Sequence, residues 1–291
     1  MVKTISQLYL DARNRLLLTE DAETAGMLAR NLLCYATGER YETLLAMGQT
    51  YASEKAYDKL ERALYRVQTG EPLAYILGEW DFYGMTLQVT PDVLIPRDDT
   101  CAVASLAINQ ALYLKESPRI LDLCTGSGCI GLAVASRVKD AKVTLADISR
   151  SAMAVAKKNI TAQKLSSRVS CVCVDALNDP PAFLGKFDMI VSNPPYITTE
   201  EMQELPKSVK DFEPALALHG GVDGLMFYRA IAEKYQSALK PGGYLCFEFG
   251  MGQGDAVCQI LEMNGYTILE RARDYNDIER AVFAQTARKE F

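Results

Sequence analysis

After Thr100 the chain repeats one pattern, a short apolar run followed by a stretch of helical periodicity. The runs are RILDL, KVTLAD, VSCVCV, FDMIVS and GYLCFEF, and YTILE and AVFA close the series. Successive side chains of a strand point to opposite faces, so runs that are apolar at nearly every position need cover on both sides. Intervening helices give that cover when the strands run parallel. The expectation is an α/β fold built on a seven-stranded, mostly parallel sheet. YTILE and AVFA lie close together in sequence, which predicts an antiparallel pair at the sheet edge.

Upstream, residues 4–70 read as helical throughout. Thr4 and Gln7 have capping-box spacing, Gly38 suits a helix end, and Ser53 precedes a segment with Leu60, Ala63, Leu64 and Val67 on one face. The texture then changes to GEPLAYILGEWDFYGMTLQVTPDVLIPR, where glycine and proline punctuate and alternation at Leu87 and Val89 suits a hairpin. Trp80, Phe82 and Tyr83 are expected to pack between domains rather than stack on a ligand. A chain of 291 residues, 49% of them hydrophobic, can bury one large core and a smaller one. The reading is a small N-terminal helical domain over 1–70, a hairpin-containing linker over 71–97 and the α/β domain over 98–291.

The balance of 31 basic and 37 acidic residues gives a formal charge of -6, which argues against affinity resting on phosphate contacts. Nucleic acid is therefore not the expected partner. No apolar run approaches the roughly 20 residues that cross a bilayer, and MVKTISQLYLDARNRLLL is broken by charge, so a soluble, cytoplasmic protein is expected. The eight cysteines are scattered, mostly among apolar neighbours, and there is a single histidine, so no zinc-ligand spacing is present. They are expected to be reduced, buried thiols, and no metal is expected.

The first strand candidate runs into Asp122-Leu123-Cys124-Thr125-Gly126-Ser127-Gly128-Cys129-Ile130-Gly131 and then a helical segment. Glycines let this backbone turn tightly and approach a ligand, and the helix N-terminus offers unpaired N–H groups, so a nucleotide-like ligand is implied. Gly126, Gly128 and Gly131 satisfy the dinucleotide pattern G-x-G-x-x-G, and Asp147 ends the next strand where a ribose could be held. Against a nicotinamide cofactor stand Asp122, placed where an acid could meet a cationic amino group, and the acidic or amide strand endings Asp147, Asp175 and Asn193. Ligands of open parallel sheets bind at the carboxyl ends of strands, so these residues are expected to share one crevice. Each also has a structural reading: Asp122 capping the loop, Asp147 capping a helix near Ser149, Asp175 closing a turn before Asn178.

FDMIVS is followed by Asn193-Pro194-Pro195-Tyr196. A planar NH2 group carries two in-plane hydrogens and a lone pair conjugated into its neighbour. The Asn193 side-chain oxygen and the Pro194 carbonyl can accept those hydrogens, while the tandem prolines stiffen the turn that aims them. Such bonding favours a more nucleophilic nitrogen as reaction proceeds. Tyr196 offers a face on which the planar group could stack. A methyl group leaving a sulfonium needs alignment more than acid or base help, which fits a chain whose one histidine, His219, lies in a loop.

Together VLIPRDDT, LDLCTGSGCIGLAVA, FDMIVSNPPYI, DFEPALAL and GGVDGLMFYRAI resemble the release-factor glutamine methyltransferase family (PrmC/HemK) over nearly the whole chain. GEPLAYILGEWDFYG is similar to that family's interdomain segment. Asn-Pro-Pro-Tyr alone is shared with adenine N6 methyltransferases, and the flanking blocks make the match specific. The resemblance implies the class I S-adenosylmethionine-dependent methyltransferase fold and transfer of a methyl group to the side-chain nitrogen N5 of the glutamine in the Gly-Gly-Gln motif of class-1 release factors, leaving S-adenosylhomocysteine. It further implies that Asp122 and the loop Cys124, Thr125, Gly126, Ser127 and Gly128 meet the cofactor's amino-acid part. Asp147 would take the ribose hydroxyls, Asp175 and Ala176 would lie by the adenine, and Asn193, Pro194, Pro195 and Tyr196 would hold the glutamine amide. The helical domain is expected to grip the release factor, and the enzyme to act as a monomer. Adenine N6 of nucleic acid and a glutamine of a ribosomal protein are the alternative acceptors. Two residues depart from the family pattern. Cys124 replaces a glycine and is expected to pack, since methyl transfer needs no thiol; Cys101 replaces an acid after Arg97-Asp98-Asp99-Thr100.

Overall fold

The computed structural model describes residues 3–114 and 117–287. The outermost residues of the expected 1–70 and 98–291 segments lie outside this range. The chain forms two compact units, Met1–Gly78 with Lys207–Phe212, and Glu79–Pro206 with Glu213–Phe291. The division falls inside the stretch expected as a linker, because part of that stretch packs with the first unit's helices and part pairs as a hairpin in the second.

The first unit contains α1 (Ile5–Leu16), α2 (Ala22–Thr37), α3 (Tyr41–Ala46), α4 (Glu54–Gln68) and α5 (Leu73–Leu77). Thr4 and Gln7 form the capping box that their spacing predicts. The Asp21 carboxylate accepts from the Glu23 and Thr24 N–H groups at the start of α2, and Ser53 caps α4. Leu8, Leu16, Leu32, Leu33, Leu60, Leu64 and Ile76 make one buried cluster, with Val67 packed at its margin. Ile76 of α5 belongs to it, so the start of the 71–97 stretch packs with the first unit.

The second unit opens with β1 (Glu79–Phe82) and β2 (Met85–Gln88), an antiparallel hairpin. Its two-residue turn, Tyr83-Gly84, has φ of 51° and 77°, the pair of positive values that matches the twist of the flanking strands. Phe82 is buried and Tyr83 packs on the core of this unit. The chain continues through α6 (Thr100–Ala111), β3 (Arg119–Leu123), α7 (Cys129–Arg137), β4 (Lys142–Asp147), α8 (Arg150–Ala162), β5 (Val169–Cys173) and β6 (Phe187–Ser192). Then come α9 (Glu201–Glu204), α10 (Lys207–Lys210) of the first unit, α11 (Met226–Lys234), β7 (Leu239–Glu248), α12 (Gly254–Met263), β8 (Tyr266–Arg273) and β9 (Glu279–Thr286).

The seven-stranded sheet has the order β5-β4-β3-β6-β7-β9-β8. β3 to β7 pair in parallel; β9 is antiparallel to both β7 and β8. The expected antiparallel pair is present, with β9 inserted beside β7 and β8 at the edge. Alternate strand residues feed two cores: Ile120, Met189, Val191 and Cys246 meet α6, α7 and α8, while Leu121, Leu123, Ile190 and Phe247 meet α11 and α12. Burying one such large apolar side chain is worth about 1.5–3 kcal/mol. An exposed ion pair contributes about 0–1 kcal/mol, so these cores hold the fold.

The strands' carboxyl ends face the reversal of order at β3 and β6. The chain builds outward through β4 and β5 on one side and through β6 and β7 on the other, which leaves a crevice between the two directions. All eight cysteines are free. Cys246 is fully buried and six others are partly buried; Cys173 alone is exposed, against the expectation of buried thiols, because it ends the edge strand β5. Among the described residues no helix is long and apolar enough to cross a membrane.

Candidate active site

The loop after β3 is anchored from beneath. Asp122, fully buried within the strand, accepts hydrogen bonds through Oδ2 from the Thr125 hydroxyl and from the Gly131 N–H at 2.8 Å. A Cβ at Gly131 would stand 2.9 Å from that same oxygen and 2.3 Å from Leu145, so only glycine lets α7 lie this close to the sheet. Burial pushes the Asp122 carboxyl up to about 7, against the pull of the Thr125 and Gly131 bonds. Its Oδ1 has no partner among the described residues.

Asp147, the last residue of β4, takes one backbone N–H on each oxygen: Gly126 on Oδ2 and Ser149 on Oδ1, both at 2.9 Å. A carboxylate offers about four lone-pair sites, so acceptor capacity remains for ligand hydroxyls. Burial raises its pKa above the ordinary carboxylate value. Asp175, just beyond β5, accepts from the Leu177 N–H at 2.9 Å and the Asn178 amide at 2.7 Å, so it also closes the turn.

These elements surround a cavity of about 270 Å³. Its lining brings together Cys124, Thr125, Gly126, Ser127, Asp147, Asp175, Ala176, Asn193 and Pro195. Asp122, Gly128, Pro194 and Tyr196 do not line it. Asp122 bonds the loop and α7 from beneath, as its capping reading has it. The Ser127 hydroxyl is buried, lines the cavity and lacks a partner among the described residues. Together with the spare capacity on Asp147, the lining fits a nucleoside bearing a polar amino-acid arm.

Cys124 adopts φ of 61°, the left-handed region that favours glycine. It packs against the core, and burial drives its thiol far above the ordinary value, so it remains neutral. Cys101 sits on α6 against the other core and outside the cavity lining.

The Asn193–Tyr196 turn is seated by glycines. A Cβ at Gly220 would meet the Tyr196 Cα at 2.6 Å, and one at Gly224 would meet the Tyr196 carbonyl oxygen at 2.3 Å. The Gln253 amide donates to the Tyr196 carbonyl at 3.1 Å and accepts from the Gly250 N–H at 3.0 Å. No hydrogen bond reaches the Pro194 carbonyl among the described residues. His219 is exposed and bonded to the Thr199 hydroxyl at 2.9 Å, as expected of a loop residue.

Several contributors escaped sequence reasoning. Glu213 is buried; it accepts from Arg97 and from the Ile95 N–H at 3.3 Å, tying together two loops that line the cavity. Asn159, fully buried in α8, bonds the Gln88 backbone and the Ser127 carbonyl, so it joins the hairpin to the glycine loop. Glu248 ends β7, buried beside Thr100 and Asn193. Only Glu248 carried a sequence signal: like Asp147 it is an acid at the end of a parallel strand.

The family model for the PrmC N-terminal domain matches residues 7–78, and that for the methyltransferase small domain matches residues 98–211. A release factor glutamine methyltransferase of Clostridium acetobutylicum is 40% identical over 213 residues, covering 73% of this chain and 74% of the relative. One from Bordetella pertussis is 40% identical over 253 residues, covering 87% and 92%. Among solved structures, the catalytic domain of hMettl16, determined with MAT2A 3'UTR hairpin 6, superposes with a TM-score of 0.54 at 15% identity over 81% of this chain and 83% of that one. That likeness speaks for the fold alone. Identity at this level over most of both chains, on a cavity lined by the glycine loop, Asp147 and Asn193, places the chain in the release factor glutamine methyltransferase family.

Proposed function

We propose that this enzyme transfers a methyl group from S-adenosylmethionine to the side-chain amide nitrogen N5 of the glutamine in the Gly-Gly-Gln motif of class-1 release factors. The observation that carries the reading is the sharing of one cavity by Asn193 and by the glycine loop with Asp147. When bound, S-adenosylmethionine would supply a methyl group on a sulfonium; transfer would leave a neutral thioether, and the amide nitrogen, made acidic by alkylation, would give up one proton to solvent, so no strong base is demanded.

The chain's task is then to hold and orient. Asp147 holds the ribose hydroxyls, Thr125, Gly126 and Ser127 border the amino-acid arm, and Asp175 and Ala176 flank the base. Asn193 accepts one hydrogen of the glutamine amide on Oδ1, and the Pro194 carbonyl accepts the other. With both hydrogens engaged, the nitrogen is fixed and its lone pair can be directed at the methyl carbon. The rigid Pro194-Pro195 pair and the Tyr196 anchor keep the acceptors in place. A release-factor substrate supports action in the cytoplasm.

Label transfer tests the reading. Cofactor carrying a labelled methyl group is offered with an intact class-1 release factor, with the same factor bearing alanine for its Gly-Gly-Gln glutamine, with a ribosomal protein fraction and with an adenine-containing oligonucleotide. Label on the intact factor alone is expected. Equal labelling of the alanine variant, or label only on the ribosomal fraction or the oligonucleotide, overturns the proposed acceptor.

A further inference from the structure

Asn193 can serve as an acceptor only if its amide is held one way round, since a flip would present NH2 to the incoming NH2. The groups behind it run in a chain. The Asn193 Nδ2 donates to the Thr100 Oγ1 at 3.4 Å, a long bond, and the Thr100 hydroxyl donates to the Glu248 Oε1 at 3.3 Å. Thr100 and Glu248 are 2% exposed, and Thr100 borders the cavity together with Asn193. A hydroxyl has one hydrogen. Once Thr100 gives it to Glu248, it can only accept from Asn193, which leaves Asn193 Oδ1 for the cavity that Asn193 lines.

We propose that Glu248 is a positioning residue: acting through the Thr100 hydroxyl, its carboxylate fixes which end of the Asn193 amide faces the cavity. The inference rests on the proposed role of Asn193 as acceptor for the glutamine amide. Protonation of Glu248 reverses the chain. The carboxyl then donates to Thr100, the freed hydroxyl hydrogen goes to Asn193 Oδ1, and the amide turns its NH2 outward.

Glu248 is itself secured. Tyr228, buried on α11, donates its phenol hydrogen to the Glu248 backbone carbonyl at 2.9 Å. Oε2 meets no partner at full hydrogen-bond geometry among the described residues, while the Asn193 amide lies near enough to favour the carboxylate directly as well as through Thr100. The charged groups that act on the carboxylate are Arg280 of β9, which favours ionisation, and Asp99 ahead of α6, which opposes it. Arg280 is held between Asp99 at 2.7 Å and Asp274 at 2.9 Å, so its charge is shared rather than given to Glu248. The remaining titratable neighbours are Tyr196, Tyr228 and the thiols Cys101, Cys129 and Cys246. All are pushed up by burial, so they are neutral in the pH range of interest. Burial likewise raises Glu248 to about 8, with Thr100, Arg280 and Asn193 pulling it down, so the switch falls in an accessible window.

Two readouts test this in the full-length protein, using Glu248→Gln, Thr100→Val and Thr100→Ser. The first is the ¹⁵N–¹H signal of the Asn193 side-chain amide, followed from pH 6 to pH 9 without substrate. It should titrate near pH 8 in the wild type and stay still in Glu248→Gln and Thr100→Val. The second is the pH profile of kcat/KM for the release factor. Wild-type values should rise about tenfold per pH unit to a plateau above pH 8, a limb that Glu248→Gln lacks. Thr100→Val should lose roughly 10- to 100-fold in kcat with the KM for cofactor within about twofold, and Thr100→Ser should restore most of it. A purely structural role predicts the reverse order for valine and serine. An unmoving Asn193 signal together with wild-type kcat and pH profile in Glu248→Gln overturns the inference and leaves the proposed function standing. A titrating signal in an enzyme that labels no glutamine supports the inference and overturns the function.

Discussion

Replacing Gly220 by alanine would set a Cβ 2.6 Å from the Tyr196 Cα, 2.7 Å from the Pro195 carbonyl oxygen and 2.9 Å from the Tyr196 carbonyl carbon. All three are backbone atoms of the turn proposed to hold the substrate amide, so no side chain can swing aside. Ordinary contact begins near 3.4 Å, which obliges the two segments to separate by 0.8 Å at the closest pair. A displacement near 1 Å in a positioning element costs on the order of 100-fold in rate. The expected loss for Gly220→Ala is therefore about 30- to 100-fold in single-turnover rate at saturating cofactor. Gly220 lies outside the cavity lining, so cofactor affinity by calorimetry should stay within about threefold. Overpacking should lower stability by about 1–3 kcal/mol, so the assay belongs well below the thermal midpoint. A rate within twofold of wild type would refute the claim that this glycine seats the turn. A rate loss matched by an equal loss of cofactor affinity would refute the claim that the turn acts on the acceptor.

Asn193→Ala should leave cofactor affinity within a few fold and lower kcat by roughly 100-fold or more, because the lost acceptor acts mainly in the transition state; near-normal turnover contradicts that role. Asp147→Ala should weaken cofactor binding by about tenfold or more, one to two hydrogen bonds from a charged group, and an unchanged dissociation constant removes Asp147 from the ribose. Burial raises Glu248 from the ordinary 4.5 to about 8 and Asp122 from 3.8 to about 7. The folded chain thus keeps protons that the unfolded chain has released, so stability is greatest below the unfolded values and falls as pH climbs toward 7 and 8. The slope is at most about 1.4 kcal/mol per pH unit for each group. Urea midpoints should therefore fall between pH 5 and pH 8, less steeply in Glu248→Gln, and a midpoint that rises over that interval would contradict the burial argument.

The sheet was legible because its signal is local. RILDL, KVTLAD and FDMIVS coincide with β3, β4 and β6, since an apolar run between polar turns has one way to be covered on both faces. The glycine loop and the Asn-Pro-Pro-Tyr turn could be read for the same reason: the backbone geometry they require is encoded in adjacent residues. Harder to read were residues whose work depends on a distant partner. Asn159 joins Gln88 to Ser127 across a sequence gap that spacing does not encode. Glu213 finds Arg97 in the same way. Glu248 was hidden inside GYLCFEF as one polar residue in a strand, although the strand-end reasoning applied to Asp147 and Asn193 applies to it equally. Asp122 carries two readings from its position before the loop, a ligand for an amino group and a cap for the loop, and its bonds to Thr125 and Gly131 are those of the cap. The stretch over 71–97 looked like a linker because glycine and proline mark turns, and turns do not reveal which core their flanks will join.

The most direct measurement is peptide mass spectrometry of an unmodified class-1 release factor after incubation with this enzyme and S-adenosylmethionine, with Asn193→Ala run in parallel at matched time. The account predicts a single added methyl, placed by fragment ions on the side chain of the Gly-Gly-Gln glutamine, and almost none with the variant. An unmodified glutamine alongside a methylated adenine or another protein would contradict the acceptor assignment, and equal modification by Asn193→Ala would contradict the account of how the cavity works.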